Sequence, residues 1–136
     1  MASPPARFED IEEIALALPE VEFGISWGDR PTYLVCGRGF VLFRAPRADA
    51  IDPDTGEPMD DVIVFTVADA ESKAALVGDE SPFFTIPHFD RSNAVLLRRR
   101  DIQRLARDEL EEVIVEGWLA RAPRRLTRGF VSGPGG

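Results

Sequence analysis

The sequence predicts an α+β fold in which an antiparallel β-sheet of four or more strands packs against helices on one face. Apolar residues recur every three or four positions near both ends of the chain, as in amphipathic helices. Short β-branched and aromatic runs occupy the middle, and a glycine-rich turn joins two of them into an antiparallel hairpin. The 136 residues fit a single domain over 1–136, with flexible ends expected at 1–7 and 129–136.

The strands are predicted from the middle of the chain. Glu20–Pro31 contains two glycines and a proline and is predicted to be an irregular connector. Thr32–Cys36 and Phe40–Arg44 form the hairpin around Gly37–Gly39. Residues 45–61, rich in acids and proline, are predicted to be an exposed loop. Two further strands are predicted at Val62–Val67 and Ala94–Arg98.

Three helices are predicted. The first begins at Phe8, carries four acids in its early turns and ends before Pro19. A brief helix follows the Asp69 cap. The last helix carries an apolar stripe that includes Trp118, which is therefore predicted to lie in the core, and it ends near Arg121. Its start is left open between Asp101 and the Arg107-Asp108 pair.

Charge and cysteine content limit the possible functions. The net charge is −8, and residues 1–80 hold 17 acids against 6 bases, whereas residues 81–136 hold 7 acids against 10 bases. This balance argues against broad electrostatic binding of nucleic acid but allows a local arginine patch. Cys36, the only cysteine, ends an apolar run and is predicted to be buried without a role. With no leader or membrane span recognisable, a cytoplasmic protein is expected.

Several short motifs follow one another along the chain in a familiar order. They are Leu16-Ala17-Leu18-Pro19-Glu20-Val21, Ser26-Trp27-Gly28, Gly37-Arg38-Gly39-Phe40, Phe83-Phe84-Thr85-Ile86-Pro87-His88-Phe89-Asp90, Ala94-Val95-Leu96-Leu97, Gly117-Trp118 and Arg121-Ala122-Pro123-Arg124-Arg125-Leu126. Together they resemble the MmcQ/YjbR family over roughly Glu9 to Phe130. The acidic segment 45–61 is longer than the family pattern suggests, and Arg124 stands where lysine is frequent. The resemblance implies a double-wing fold similar to the bacterial frataxin homologue, CyaY, and DNA as a partner.

The candidate DNA contacts are arginines near the C-terminus. They are Arg121, Arg124, Arg125 and Arg128, and none has an acid among its sequence neighbours. The dipole at the end of the last helix is a sufficient structural reason for Arg121 and, at its margin, for Arg124. Arg125 and Arg128 lie beyond that end, and guanidinium groups pair well with phosphate. We therefore predict a modest nucleic-acid contact at these four residues.

A small-ligand or protein-interaction pocket is the alternative. It would bring Trp27, His88 and Arg121 together around an anionic or planar ligand. The favoured structural interpretation makes His88 part of a structured turn and Trp27 a lid on the core. No nucleophile motif accompanies the single histidine, so a non-enzymatic protein is expected. The acids of residues 45–61 lack EF-hand spacing, so neither a metal nor another cofactor is expected.

Overall fold

The fold of the chain is given by a computed structural model that describes residues 3–26, 30–78 and 80–131. Five strands form one antiparallel sheet in sequence order, which confirms the predicted α+β class. The elements are α1 (Phe8–Ala17), β1 (Val21–Ser26), β2 (Arg30–Val35), β3 (Arg38–Phe43), β4 (Val62–Thr66), α2 (Ala70–Leu76), β5 (Ala94–Arg98), α3 (Arg107–Arg121) and α4 (Arg124–Val131). No helix in these ranges is long and apolar enough to cross a membrane.

Strand β1 occupies part of the segment that was predicted to be an irregular connector, and this prediction was wrong. Val21, Phe23 and Ile25 alternate with residues of the opposite face, and Phe23 lies opposite Tyr33 of β2. At Gly24 the side chain of Leu34 approaches the backbone, and an added Cβ would come within 2.9 Å of Leu34 Cδ1. The glycine is therefore accommodated inside the strand and does not break it.

The hairpin between β2 and β3 is confirmed, but its turn consists of Cys36 and Gly37. Both residues have positive φ angles, 50° and 81°, as the two-residue turn that suits twisted strands requires. Cys36 is exposed, so the prediction that it is buried was wrong. The apolar run ends one residue earlier, at the fully buried Val35.

Helices α1 and α3 cover one face of the sheet, as predicted. The fully buried Trp118 of α3 lies in this core, and its Nε1 donates to the carbonyl of Pro19 at 3.0 Å. Gly117 brings α3 close to the sheet, since an added Cβ would lie 2.7 Å from the carbonyl oxygen of Thr66. This face therefore combines a large apolar core with close backbone approach.

The opposite face is smaller and is covered without a long helix. Its buried residues are Val62, Val64, Ala94 and Leu96, against which pack Leu42, Met59, Phe84, Ile86 and Phe89. The cover comes from the end of the acidic segment 45–61 and from the segment around the 3₁₀ turn Pro87–Phe89. The sheet thus has apolar residues buried on both faces.

The acidic segment is not a fully exposed loop, contrary to the prediction. Asp52 is only 5% exposed, and its Oδ2 accepts a 2.8 Å hydrogen bond from Arg98 of β5. Arg98 also donates to Asp61 Oδ1 at 2.8 Å, and Arg44 donates to Asp49 at 2.6 Å. Buried charges need such partners, so the acids hold this segment on the sheet.

The two ends of the described chain are more ordered than the sequence suggests. Helix α3 starts at Arg107, the later of the two candidate starts, and Pro123 separates it from α4, which the sequence prediction missed. At the other end, the Ala6 amide donates to the carbonyl of Leu105 at 2.8 Å. This bond attaches a segment that was expected to be flexible to the residues before α3.

Candidate functional site

The four predicted arginines lie at the junction of α3 and α4, and all four are exposed. Arg121 occupies the last turn of α3, whereas the other three belong to α4. The sequence contains no acid after Glu116, so α4 itself carries only basic charge. The structure therefore places three of the predicted residues on α4, an element that was not predicted, and Arg121 just before it.

Helix dipoles account for only part of this arrangement. Arg121 and Arg128 lie in the last turns of their helices, where cations are stabilised. Arg124, however, is at the first position of α4, where the positive end of the dipole disfavours a cation. The proposed structural reason for Arg124 was therefore wrong, because the helix that it was thought to end stops before Pro123.

Arg125 already forms an ion pair with an acid from the N-terminal part of the chain. Its Nη1 and Nη2 donate to the two carboxylate oxygens of Glu20 at 2.7 and 3.1 Å, and Nη2 also lies 3.7 Å from Cys36 Sγ. The hydrogen bond from Arg125 lowers the pKa of the Glu20 carboxyl. Among the described residues, no ion pair involves Arg121, Arg124 or Arg128. The available patch therefore consists of these three residues.

The alternative pocket is not assembled by the described residues. His88 is exposed in the 3₁₀ turn whose Phe89 packs on the small face of the sheet. Arg121 ends α3, which packs on the opposite face. The structure thus does not bring His88 and Arg121 together, and Trp27 lies outside the described residues. Nor do three His, Cys, Asp or Glu side chains within the described ranges meet as a possible metal site.

A second candidate site is a groove with a row of aromatic rings. Ring centroids are separated by 4.9 Å from Phe23 to Tyr33, 6.0 Å from Tyr33 to Phe43 and 5.6 Å from Phe43 to Phe8. The row crosses β1, β2 and β3 and ends at the first residue of α1. Phe23 keeps 54% of its surface exposed. The groove has a volume of about 490 Å³.

Arginines line the rim of this groove. The guanidinium carbon of Arg99 lies 3.9 Å from the centre of the Phe8 ring, in a cation–π contact. Arg30 donates from Nε to the carbonyl of Phe43 at 2.8 Å. Asp60 and Asp61 also line the groove, and Asp61 accepts hydrogen bonds from Arg98 and from the backbone of Arg100. The groove therefore combines aromatic walls with two positioned guanidinium groups.

Sequence reasoning missed the groove, although part of its signal was visible. The alternation of Val21, Phe23 and Ile25 indicates a strand, and β1 places Phe23 beside Tyr33. Nothing local in the sequence shows that Arg99 stacks on Phe8, because the two residues are far apart in the chain. That contact depends on how the turn after β5 lies against α1.

The five strands and nearly all of α3 match a known protein family. The profile described as YjbR aligns with residues 16–120. The chain belongs to the YjbR family. This confirms the resemblance drawn from the ordered motifs, while the likeness to the frataxin homologue stays a prediction.

Proteins similar to this YjbR-family chain include uncharacterised proteins from two strains of Mycobacterium tuberculosis and from Mycobacterium bovis. Each is 43% identical over 79 residues, which cover 57% of this chain and 59% of the relative. The chain thus spans less than two thirds of the length of these relatives. No solved structure matches it.

The two candidate sites differ in their relation to the YjbR profile. Arg121, Arg124 and Arg128 all lie C-terminal to the matched residues. The groove residues Phe23 and Arg99 lie within them. The family match therefore contributes nothing to the assignment of the arginine patch, which depends on the geometry alone.

Proposed function

We propose that this YjbR-family chain is a non-enzymatic binding protein that contacts nucleic-acid phosphates, with DNA the expected partner, through Arg121, Arg124 and Arg128. The observation that carries the proposal is Arg124, an exposed cation at a helix start where the dipole disfavours it and where no described acid pairs with it. A phosphate would relieve this repulsion, because the same helix start favours an anion.

The spacing of the patch supports contact with a phosphate chain. Arg124 and Arg128 are one helical turn apart on α4, so their side chains lie on the same side of the helix, with Cβ atoms roughly 5–6 Å apart. Arg121 precedes them across the Pro123 break. Guanidinium groups bind phosphate oxygens through two parallel hydrogen bonds, which suits an interface that reads the backbone rather than the bases.

The negative charge of the rest of the chain limits the affinity for DNA that we expect. With a net charge of −8, long-range repulsion opposes association, so binding should be weak and confined to low salt. Three phosphate contacts predict that the logarithm of the affinity falls with the logarithm of salt concentration with a slope of roughly −2 to −3. This slope distinguishes phosphate contact from an apolar interaction.

The test is fluorescence anisotropy of labelled random-sequence duplex and single-stranded DNA, titrated with salt. We expect the Arg124→Gln, Arg128→Gln variant to weaken binding to both probes and to make the salt slope shallower by roughly 1 for each phosphate that the variant no longer binds. The matched control is Arg38→Gln, Arg47→Gln, which makes the same charge change at two exposed arginines outside α4. The control should retain most of the affinity.

A Glu20→Gln variant tests whether Arg125 can join the patch when its acidic partner is removed. It removes the acid that occupies Arg125, so a fourth guanidinium becomes available and affinity should rise, with a steeper salt slope. Absence of binding at low salt, or an equal loss of affinity in both double variants, would show that the arginine patch is not a phosphate-binding site.

A further inference from the structure

The aromatic groove has features that packing alone does not require. Phe23 presents more than half of its surface on the edge strand β1, although large apolar residues are usually buried when the fold can cover them. The Phe23 ring continues a row that runs into the buried Tyr33. An incoming planar ring could extend this row, because offset and edge-to-face aromatic pairs are favourable.

The two rim arginines are oriented by contacts that leave hydrogen-bond donors free. The Arg99 guanidinium lies over the Phe8 ring in a cation–π contact, which uses none of its N–H groups as hydrogen-bond donors. Arg30 uses Nε for the Phe43 carbonyl, which leaves its two terminal nitrogens. Within the described part of the chain neither residue forms an ion pair, and Arg99 is exposed.

The other charges of the groove are largely compensated. Arg44 pairs with Asp49 at 2.6 Å, and Asp61 pairs with Arg98 at 2.8 Å. Among the described residues that line the groove, Asp60 is the remaining acid, against the two cations Arg30 and Arg99. A groove with a positive excess in a chain of net charge −8 favours an anion over a cation.

We propose that this groove binds a small planar aromatic anion, that is, an aromatic ring bearing a carboxylate or phosphate group. The ring packs against Phe23 and Tyr33, and the anionic group accepts hydrogen bonds from Arg99 and Arg30. A volume of about 490 Å³ is within the range of small-molecule sites. This site is separate from the arginine patch on α4 and does not depend on the function proposed for it.

The experiment is saturation-transfer NMR with a panel of small probes against the full chain. Benzoate and adenosine monophosphate are the aromatic anions, and their responses distinguish a carboxylate from a phosphate as the preferred group. Benzyl alcohol and adenosine lack the charge, acetate and methyl phosphate lack the ring, and benzylamine reverses the charge. We expect saturable binding of at least one aromatic anion, and weaker binding of every other class.

Substitutions at Arg99 and Phe23 test whether the aromatic anion binds in the groove. Arg99→Gln should weaken the aromatic anion about tenfold, the effect of one charged hydrogen bond, and Phe23→Ala about threefold to tenfold. Both residues are exposed, so the fold should persist, which circular dichroism checks. Arg38→Gln and Arg47→Gln make the same charge change at exposed arginines outside both the groove and α4, and they should bind like the parent chain.

The outcomes that overturn the proposal are distinct. Equal binding of the uncharged aromatics would remove the role of the arginines, and preferential binding of benzylamine would reverse the charge assignment. Unchanged affinity in Arg99→Gln and Phe23→Ala would place the ligand elsewhere. A lack of saturable binding by any aromatic anion would refute the site.

Discussion

The two faces of the sheet are held by different forces. The face under α1 and α3 buries a large apolar core around Trp118, with α3 in close contact with the strands at Gly117. Among the described residues, the other face buries four apolar residues in its cluster and is covered by segments without a long helix. Charge pairs between Asp52 and Arg98, and between Arg44 and Asp49, hold part of that cover in place.

This contrast indicates that burial of apolar area holds the helices on one face, whereas ion pairs hold the acidic segment 45–61 on the other. A buried ion pair contributes little net stability, because desolvation offsets the attraction, but removing one partner is costly. The small face should therefore respond to charge and pH, and the large face to volume. Substitutions on each face can test this contrast.

The largest effect is expected from Trp118→Ala. The substitution leaves a cavity in the helix-covered core and removes the hydrogen bond to the Pro19 carbonyl, so the free energy of unfolding should fall by about 3–5 kcal/mol. Urea denaturation followed by circular dichroism measures it. Phe84→Ala, a partly buried aromatic on the small face, should cost clearly less. Equal changes in stability would contradict the contrast between the faces.

A smaller effect is expected from Gly117→Ala. An alanine Cβ would lie 2.7 Å from the Thr66 carbonyl oxygen, so α3 must move away from the sheet, and the free energy of unfolding should fall by about 1–3 kcal/mol. Gly129→Ala is the matched control, because its Cβ would meet nothing within 4 Å and alanine favours a helix. A Gly117→Ala variant as stable as the control would show that close helix approach is not required.

How much of this could be predicted depends on the kind of interaction. Trp118 in the core and strands β4 and β5 follow from local periodicity, because apolar burial leaves a repeating pattern. Arg98 has no such pattern, since its partner Asp52 is 46 positions away and was predicted to be in an exposed loop. Helix α4 was missed because Pro123 was interpreted only as an end, although proline also precedes or begins helices.

The same contrast between local sequence patterns and long-range contacts applies to the candidate sites. The arginines of the patch were predicted because they cluster in the sequence, but their availability depends on Glu20, which occupies Arg125 from more than 100 positions away. The groove could not be predicted, because Phe8, Phe23 and Arg99 come from three separate regions of the chain. Local sequence thus identifies candidate residues, and tertiary packing decides which of them remain free.

On the small face, Asp52→Asn should loosen the cover without unfolding the domain. The asparagine keeps a similar shape and one acceptor oxygen but lacks the charge that pairs with Arg98. Because Arg98 keeps its second carboxylate partner, Asp61, we expect a smaller change in global stability than for Gly117→Ala. Faster hydrogen exchange should appear at the amides of Asp52 and Met59, which close this segment on Glu57 and Ala50. Asp54→Asn is the control, because that side chain is 77% exposed. Equal exchange in the two variants would contradict the role of the buried pair.

The smallest effect is the acid dependence of that same pair. The hydrogen bond from Arg98, with a second from the backbone of Asp54, lowers the pKa of Asp52 below its unfolded value of about 3.9. The stabilisation by the Asp52 charge is therefore fully present above that value and is lost as the pH falls through the folded pKa. The stability difference between the parent chain and Asp52→Asn should be constant from neutral pH to about pH 5 and should shrink below about pH 4. Other acids titrate in both chains and largely cancel in the difference, so urea denaturation of the pair at several pH values isolates Asp52. A difference that persists unchanged at low pH would mean that shape, and not charge, holds the acidic segment on the sheet.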